Sequence, residues 1–152
     1  AIDEKYDIAV STSCGYLDHI VVETLTDAEA CVNYLREHRL GRASFIGLDK
    51  IAQQAMSMMN QPFTAPQNSQ GLFDLVRPAD DKFKIAFFFS LRNTLVCQDI
   101  NVGTHTAYNL DRRHRVVTLG GELIELSGTM AGGGRPKSGG MSSTQIEEFS
   151  DE

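Results

Sequence analysis

The side chains in this sequence with chemical potential are few, and most lie in its last third. Arg112, Arg113 and Arg115 stand within "DRRHR", residues 111–115, and Arg135 and Lys137 follow in "GGGRPKSGG", residues 132–140. Clustered guanidinium and ammonium groups suit phosphate, and glycine lets backbone N–H groups approach an anion. A phosphate-binding loop needs G-x-x-x-x-G-K-[ST] between a strand and a helix. Lys137 and Ser138 supply the last pair, but Pro136 holds the position of the required glycine and no helical pattern follows. A dinucleotide fingerprint fails too, because the third glycine is missing and the run follows the last strand–helix–strand unit instead of opening the first. What remains is a local, salt-sensitive contact with a polyanion through Arg112, Arg113, Arg115, Arg135 and Lys137, if the chain brings the two groups together. Without interleaved aromatic residues, sequence readout is not indicated. The competing reading of "DRRHR" is a solvated charged turn.

Other chemistry is thin. His19, His38, His105 and His114 have no i, i+4 pairing with each other and no cysteine at ligand spacing, so no metal site is expected. Cys14 precedes Gly15 at a turn, but no nucleophile elbow surrounds it, and a buried structural thiol is the better reading. Cys14, Cys31 and Cys97 are scattered, without a C-x-x-C pair, which fits a reducing intracellular compartment. Asp80 and Asp81 precede an apolar helix and read as N-caps. No set of residues demands an enzyme.

These residues must be carried by a globular α/β chain. Residues 4–14 suit a short helix, "HIVVE" at 19–23 a strand, "TDAEACVNYLREHRLG" a helix capped by Thr26 with Glu29 and closed at Gly41, and "RASFIGL" at 42–48 a strand. Ala28, Cys31, Val32 and Leu35 form the expected buried stripe of that helix. The order then recurs: "FKIAFFFSLRN" answers "YDIAVSTSCGY", "TLVCQ" answers "HIVVE", "NVGTHTAYNL" answers "TDAEACVNYL", and "RVVTL" answers "RASFI". Two similar lobes with helix–strand–helix–strand cores are expected, at 1–59 and 72–140, joined by a surface connector at 60–71. The helix before the connector carries Met56, Met58 and Met59 as gap-filling core. "VVTLGGELIEL" reads as a hairpin turning at Gly120 and Gly121, and it leads straight into the glycine segment.

Six glycines, Gly128, Gly132, Gly133, Gly134, Gly139 and Gly140, crowd that segment. Ordered, each would cost roughly 0.5 to 1 kcal/mol relative to alanine, so the segment is either a loose tail or is compensated by close approach of another backbone. Net charge is -6, but Glu147, Glu148, Asp151 and Glu152 supply most of it in an acidic tail at 141–152. No apolar run approaches the length of a membrane span.

The residues resemble a known family, the hinge domain of SMC (structural maintenance of chromosomes) proteins, and are closest to the fourth SMC subunit class of condensin. "RRHRVVTLGGELIELSGTMAGGG" is similar to the family's C-terminal hinge signature, and the likeness extends over "AIDEKYDIAVSTSCGYLDHIVVET", "LFDLVRP" and "FFFSLRNTLV". The resemblance implies an α/β, SMC-hinge-like fold of two related lobes, with a C-terminal β-hairpin leading to a glycine-rich edge strand. It implies that Gly128, Gly132, Gly133 and Gly134, with Gly139 and Gly140, meet the hinge of a second SMC subunit, in a heterodimer. It also implies weak contact with DNA, preferentially single-stranded, near Arg112, Arg113, Arg115, Arg135 and Lys137. No cofactor is expected in this domain, since ATP and Mg belong to the family's head domains. The implied setting is nuclear and chromosomal, allowing a cytoplasmic pool, with no membrane partner. The family's glycine-containing segment upstream of "AIDEKYD" is missing here, so a trimmed first lobe is expected, and the tail at 141–152 would approach a coiled-coil arm.

Overall fold

A computed structural model describes residues 1–141, so the acidic tail, apart from Met141, lies outside the described residues. A 3-10 turn (Glu4–Tyr6) opens the chain, followed by α1 (Asp7–Ser13), β1 (Ile20–Val22), α2 (Leu25–Glu37), β2 (Phe45–Gly47) and α3 (Leu48–Met59). The second part comprises β3 (Gln70–Gly71), α4 (Leu72–Leu75), α5 (Lys82–Leu91), β4 (Leu95–Cys97), α6 (Ile100–Tyr108), β5 (Val116–Thr118), β6 (Leu123–Ile124) and β7 (Met130–Ala131).

Two parallel crossover units dominate. β1 and β2 pair with Ile20 opposite Phe45, and β4 and β5 pair with Leu95 opposite Val116. A helix precedes each unit, so helix–strand–helix–strand does occur twice. The units differ in what is added: β1 and β2 stand as a two-stranded sheet, whereas β4 and β5 lie inside a five-stranded sheet ordered β3-β4-β5-β6-β7.

The helices that open the two repeats both connect the lobes. Ala9, Val10 and Cys14, from α1 and its C-terminal cap, pack against Leu72, Leu91, Val96 and Val117, so α1 lies on the sheet of the second lobe. While its Leu91 joins that same core, α5 packs along α3 of the first lobe. Its Phe83, Ala86 and Phe87 also line a cleft of about 340 Å³ opposite Val21 and Ile46 of the first sheet. This explains why "KFKIAFFFSL" is apolar nearly all round: a helix enclosed on several sides has no face to leave polar. Burying each of Val10, Leu72, Leu91 and Val117, which are 0–1% exposed, contributes roughly 1.5–3 kcal/mol. The other face of the five-stranded sheet packs Leu95, Cys97, Val116 and Ile124 against Ala107 of α6.

Several local expectations are corrected. α2 is capped by Thr24, whose hydroxyl accepts from Asp27 N at 3.1 Å, not by Thr26, because Leu25 already turns helical. It ends at Glu37, well short of Gly41. Of its expected stripe only Ala28 is buried; Cys31 and Leu35 are half-buried and Val32 is exposed, because the small first sheet cannot cover the helix. Met56 is likewise exposed instead of filling core. Asp80 accepts from Lys82 N at 3.0 Å, whereas Asp81 occupies the cap position without a side-chain bond. In the stretch expected to run over the surface, Gln70–Gly71 pair with β4, and Phe63 and Ala65 pack against the second core.

Candidate functional site

The glycine segment begins with two antiparallel reversals. Gly121 turns the β5–β6 hairpin at φ +96°, and its N–H donates to Thr118 O at 3.1 Å. Gly128 turns β6 into β7 at φ +95°, with its N–H donating to Glu125 O at 2.9 Å and its carbonyl accepting from the Tyr108 hydroxyl at 2.6 Å. A Cβ on Gly128 would collide with the Arg113 guanidinium. β7 pairs with β6 along one side, and its other side is the sheet edge, with both its residues exposed. Met130 is 50% and neighbouring Leu126 60% exposed.

Beyond β7 the glycines divide into two groups. Gly132 lies against the Glu122 side chain, while Gly133 and Gly134 adopt φ +83° and +67° with nothing among the described residues within 4 Å of where a Cβ would stand. Gly139 and Gly140 return to the chain itself. Gly139 N donates to both Asp7 carboxylate oxygens at 2.9 Å, and Gly140 N donates to Ser11 Oγ at 2.9 Å. A Cβ at Gly140 would come within 2.6 Å of Leu17 Cδ1. The strand proper is therefore Met130–Ala131, with glycines on either side of it.

The basic residues do not form one patch. β5, β6 and β7 alternate in direction, so the turn holding Gly128 shares a sheet end with Arg112 and Arg113. The segment after β7 emerges at the opposite end, where Pro136 approaches Gly121. The expectation that the hairpin brings Arg135 and Lys137 to "DRRHR" is thus corrected by an even number of reversals. Lys137 instead lies near Asp18, whose carboxyl sits below its usual range, chiefly through the hydrogen bond with His19 and only in small part through Lys137.

Arg115 is committed internally. It meets the Glu125 carboxylate through Nε at 2.9 Å and Nη2 at 3.3 Å, and its Nη1 donates to Ser13 O and Thr94 Oγ1, both at 3.0 Å. This ties α1, the start of β4 and the end of β6 together. Arg112 and Arg113 are exposed and lie over aromatic rings, Arg112 over Phe63 at 5.6 Å and Arg113 over Tyr108 at 5.0 Å. No sequence pattern links these rings to the arginines, because Phe63 comes from the connector and Tyr108 from α6. Exposed Arg92, at φ +47° in the turn entering β4, is a further cation at this sheet end.

Burial pushes the Cys14 thiol up, against smaller opposing effects from its hydrogen bond with Ser90 and from Arg115; burial likewise raises Cys97. His114 is held below the usual imidazole range by burial first and Arg112 second. Among the described residues no three His, Cys, Asp or Glu side chains converge as a metal site requires.

The family profile described as "SMC proteins Flexible Hinge Domain" matches residues 1–107. The chain belongs to the SMC hinge family. This hinge is 49% identical over its whole length to Structural maintenance of chromosomes protein 4 of Microtus arvalis and to that of Homo sapiens, and it spans 12% of the length of each. It superposes with a TM-score of 0.72 on a chain described as an asymmetric dimer of the Geobacillus stearothermophilus SMC hinge domain, at 27% identity, covering 90% of this chain and 56% of that one.

Proposed function

We propose that this chain is the dimerisation hinge of a condensin SMC subunit, working on chromosomes in the nucleus and pairing with the hinge of a second SMC subunit. The observation that carries the reading is the open edge of β7. Its edge backbone groups are followed by Gly133 and Gly134, which no other described residue approaches within 4 Å of where a Cβ would stand. An edge with little side-chain bulk accepts a partner backbone closely, by strand addition. The solved hinge named as a dimer, and the relatives named as structural maintenance of chromosomes proteins, support the same reading. Within it, Met130 and Gly132 to Gly134 face the partner. Gly128, Gly139 and Gly140 serve the contact indirectly, by turning and anchoring the segment. Arg112 and Arg113 supply weak contact with single-stranded DNA, Arg135 and Lys137 lie apart from them, and Arg115 keeps its structural bonds.

The test mixes the chain with the hinge of condensin's other SMC subunit and follows mass by light scattering. A one-to-one complex is expected. Gly133→Asn with Gly134→Asn should abolish it while circular dichroism stays unchanged, since Asn tolerates positive φ and adds bulk. Unaltered association would remove the glycine contact.

A second reading, a single-stranded nucleic-acid-binding domain whose dimerisation is incidental, is favoured by the two arginines braced on aromatic rings. It predicts steeply salt-dependent binding that is lost in Arg112→Glu with Arg113→Glu whether or not a partner hinge is present.

A further inference from the structure

We infer that the turn leaving α2 in the first lobe is a second, separate docking surface for single-stranded nucleic acid, built from Arg36, Arg39, Arg42 and the Tyr34–His38 pair. Three arginines fall within seven residues, all exposed, and none makes a side-chain hydrogen bond or ion pair among the described residues. Cations near a helix C-terminus are ordinarily explained by the helix dipole. That covers Arg36 and His38 but not Arg42, which lies beyond the turn.

Arg39 is the informative residue. Leu40 N donates to Leu35 O at 3.0 Å and Arg39 N to Arg36 O at 3.3 Å, the bonding pattern of a helix ended by one left-handed residue. Glycine usually takes that position, yet Arg39 takes it at φ +53°. Backbone strain of this kind points to a use for the side chain.

The internal repeat sharpens the point. The paired strands set its register: Ile20 N donates to Ser44 O as Leu95 N does to Arg115 O, so Ser44 stands where Arg115 does and Arg42 falls on Arg113. Arg42 therefore holds the place of an exposed arginine and not that of Arg115, which is bonded internally to Glu125. The charge of Arg42 remains available to an outside anion.

The aromatic pair narrows the class of ligand. Tyr34 and His38 stack with ring centroids 4.1 Å apart and an interplanar angle of 25°, and Tyr34 is 56% exposed. An exposed ring beside phosphate-binding cations suits an unpaired base, so a single strand is favoured over a duplex or an acidic protein. The surface is distinct from Arg112 and Arg113, and the inference does not depend on theirs.

The test titrates a labelled 20-nucleotide oligothymidylate with the full chain and reads anisotropy between 50 and 200 mM salt. Arg36→Gln with Arg39→Gly and Arg42→Gln should lower the slope of log affinity against log salt by about 2, three contacts at the single-strand value. Tyr34→Ala should weaken binding about fivefold or more, and Tyr34→Phe should retain it. Arg39→Gly alone should raise the melting temperature while weakening binding, which loss by unfolding cannot imitate. An unchanged slope in the triple variant overturns the inference, as does a Tyr34→Ala chain that binds like the original. A triple variant that keeps its slope but no longer pairs with another hinge overturns it as well, reassigning the surface to protein contact. Arg112→Gln with Arg113→Gln, run in parallel, reports on the second-lobe arginines, so failure at one surface is distinguishable from failure at the other.

Discussion

Arg115 illustrates how neighbouring residues of one type divide their work. Its three-way bonding to Ser13, Thr94 and Glu125 means that Arg115→Leu should destabilise the chain by about 2–3 kcal/mol in urea unfolding, the range for hydrogen bonds to charged groups. Exposed Arg112→Gln should stay within about 0.5 kcal/mol. The titrating groups set a stability window. Cys14 and Cys97 have raised values in the folded chain, so what they contribute is fully present below the ordinary thiol value of about 8.5 and is lost as pH rises above it. His114 is lowered, so its contribution is complete above about 6.5 and is lost as pH falls below that. Melting temperature should therefore be flat between these limits and fall on either side. His114→Gln should blunt the acidic fall and Cys14→Ser the alkaline one. A thiol reagent should label half-buried Cys31 well before buried Cys14 and Cys97.

At the scale of the element, the cap of α2 gives a clean comparison. Thr24→Ala should cost about 1 kcal/mol and Thr26→Ala only a few tenths, read from urea midpoints. Both threonines precede the same apolar pattern, so sequence offers two starts; Asp27 N pointing back to Thr24 decides between them. The strands and the crossover order were legible because β-branched runs and a three-turn helix leave periodic signatures. The covering of α2 was not, since a stripe of Ala28, Cys31, Val32 and Leu35 says which face is apolar but not whether another element reaches it. The glycine segment was legible as a close-approach device, but not as two groups: Gly139 and Gly140 are claimed by Asp7 and Ser11, residues at the far end of the sequence.

For the whole molecule, α1 lies on the second sheet while α5 joins the second core to α3 of the first lobe, and this shared packing makes the lobes thermodynamically inseparable. Unfolding followed by far-ultraviolet circular dichroism and by tyrosine fluorescence should superimpose as one transition. Two separated transitions would mean the lobes melt independently. The repeated pattern marks both helices but not the core each one enters, since an apolar stripe defines a face and not its neighbour.

Ala1 and Met141 stand on the walls of the same cleft, and Ala1 is bonded through its backbone in both directions to Arg77. Such proximity makes the covalent order of the chain negotiable. A circular permutant that bridges these two positions with a few glycines and serines, and reopens the backbone in the turn around Asn68, should fold to the same arrangement of helices and sheets.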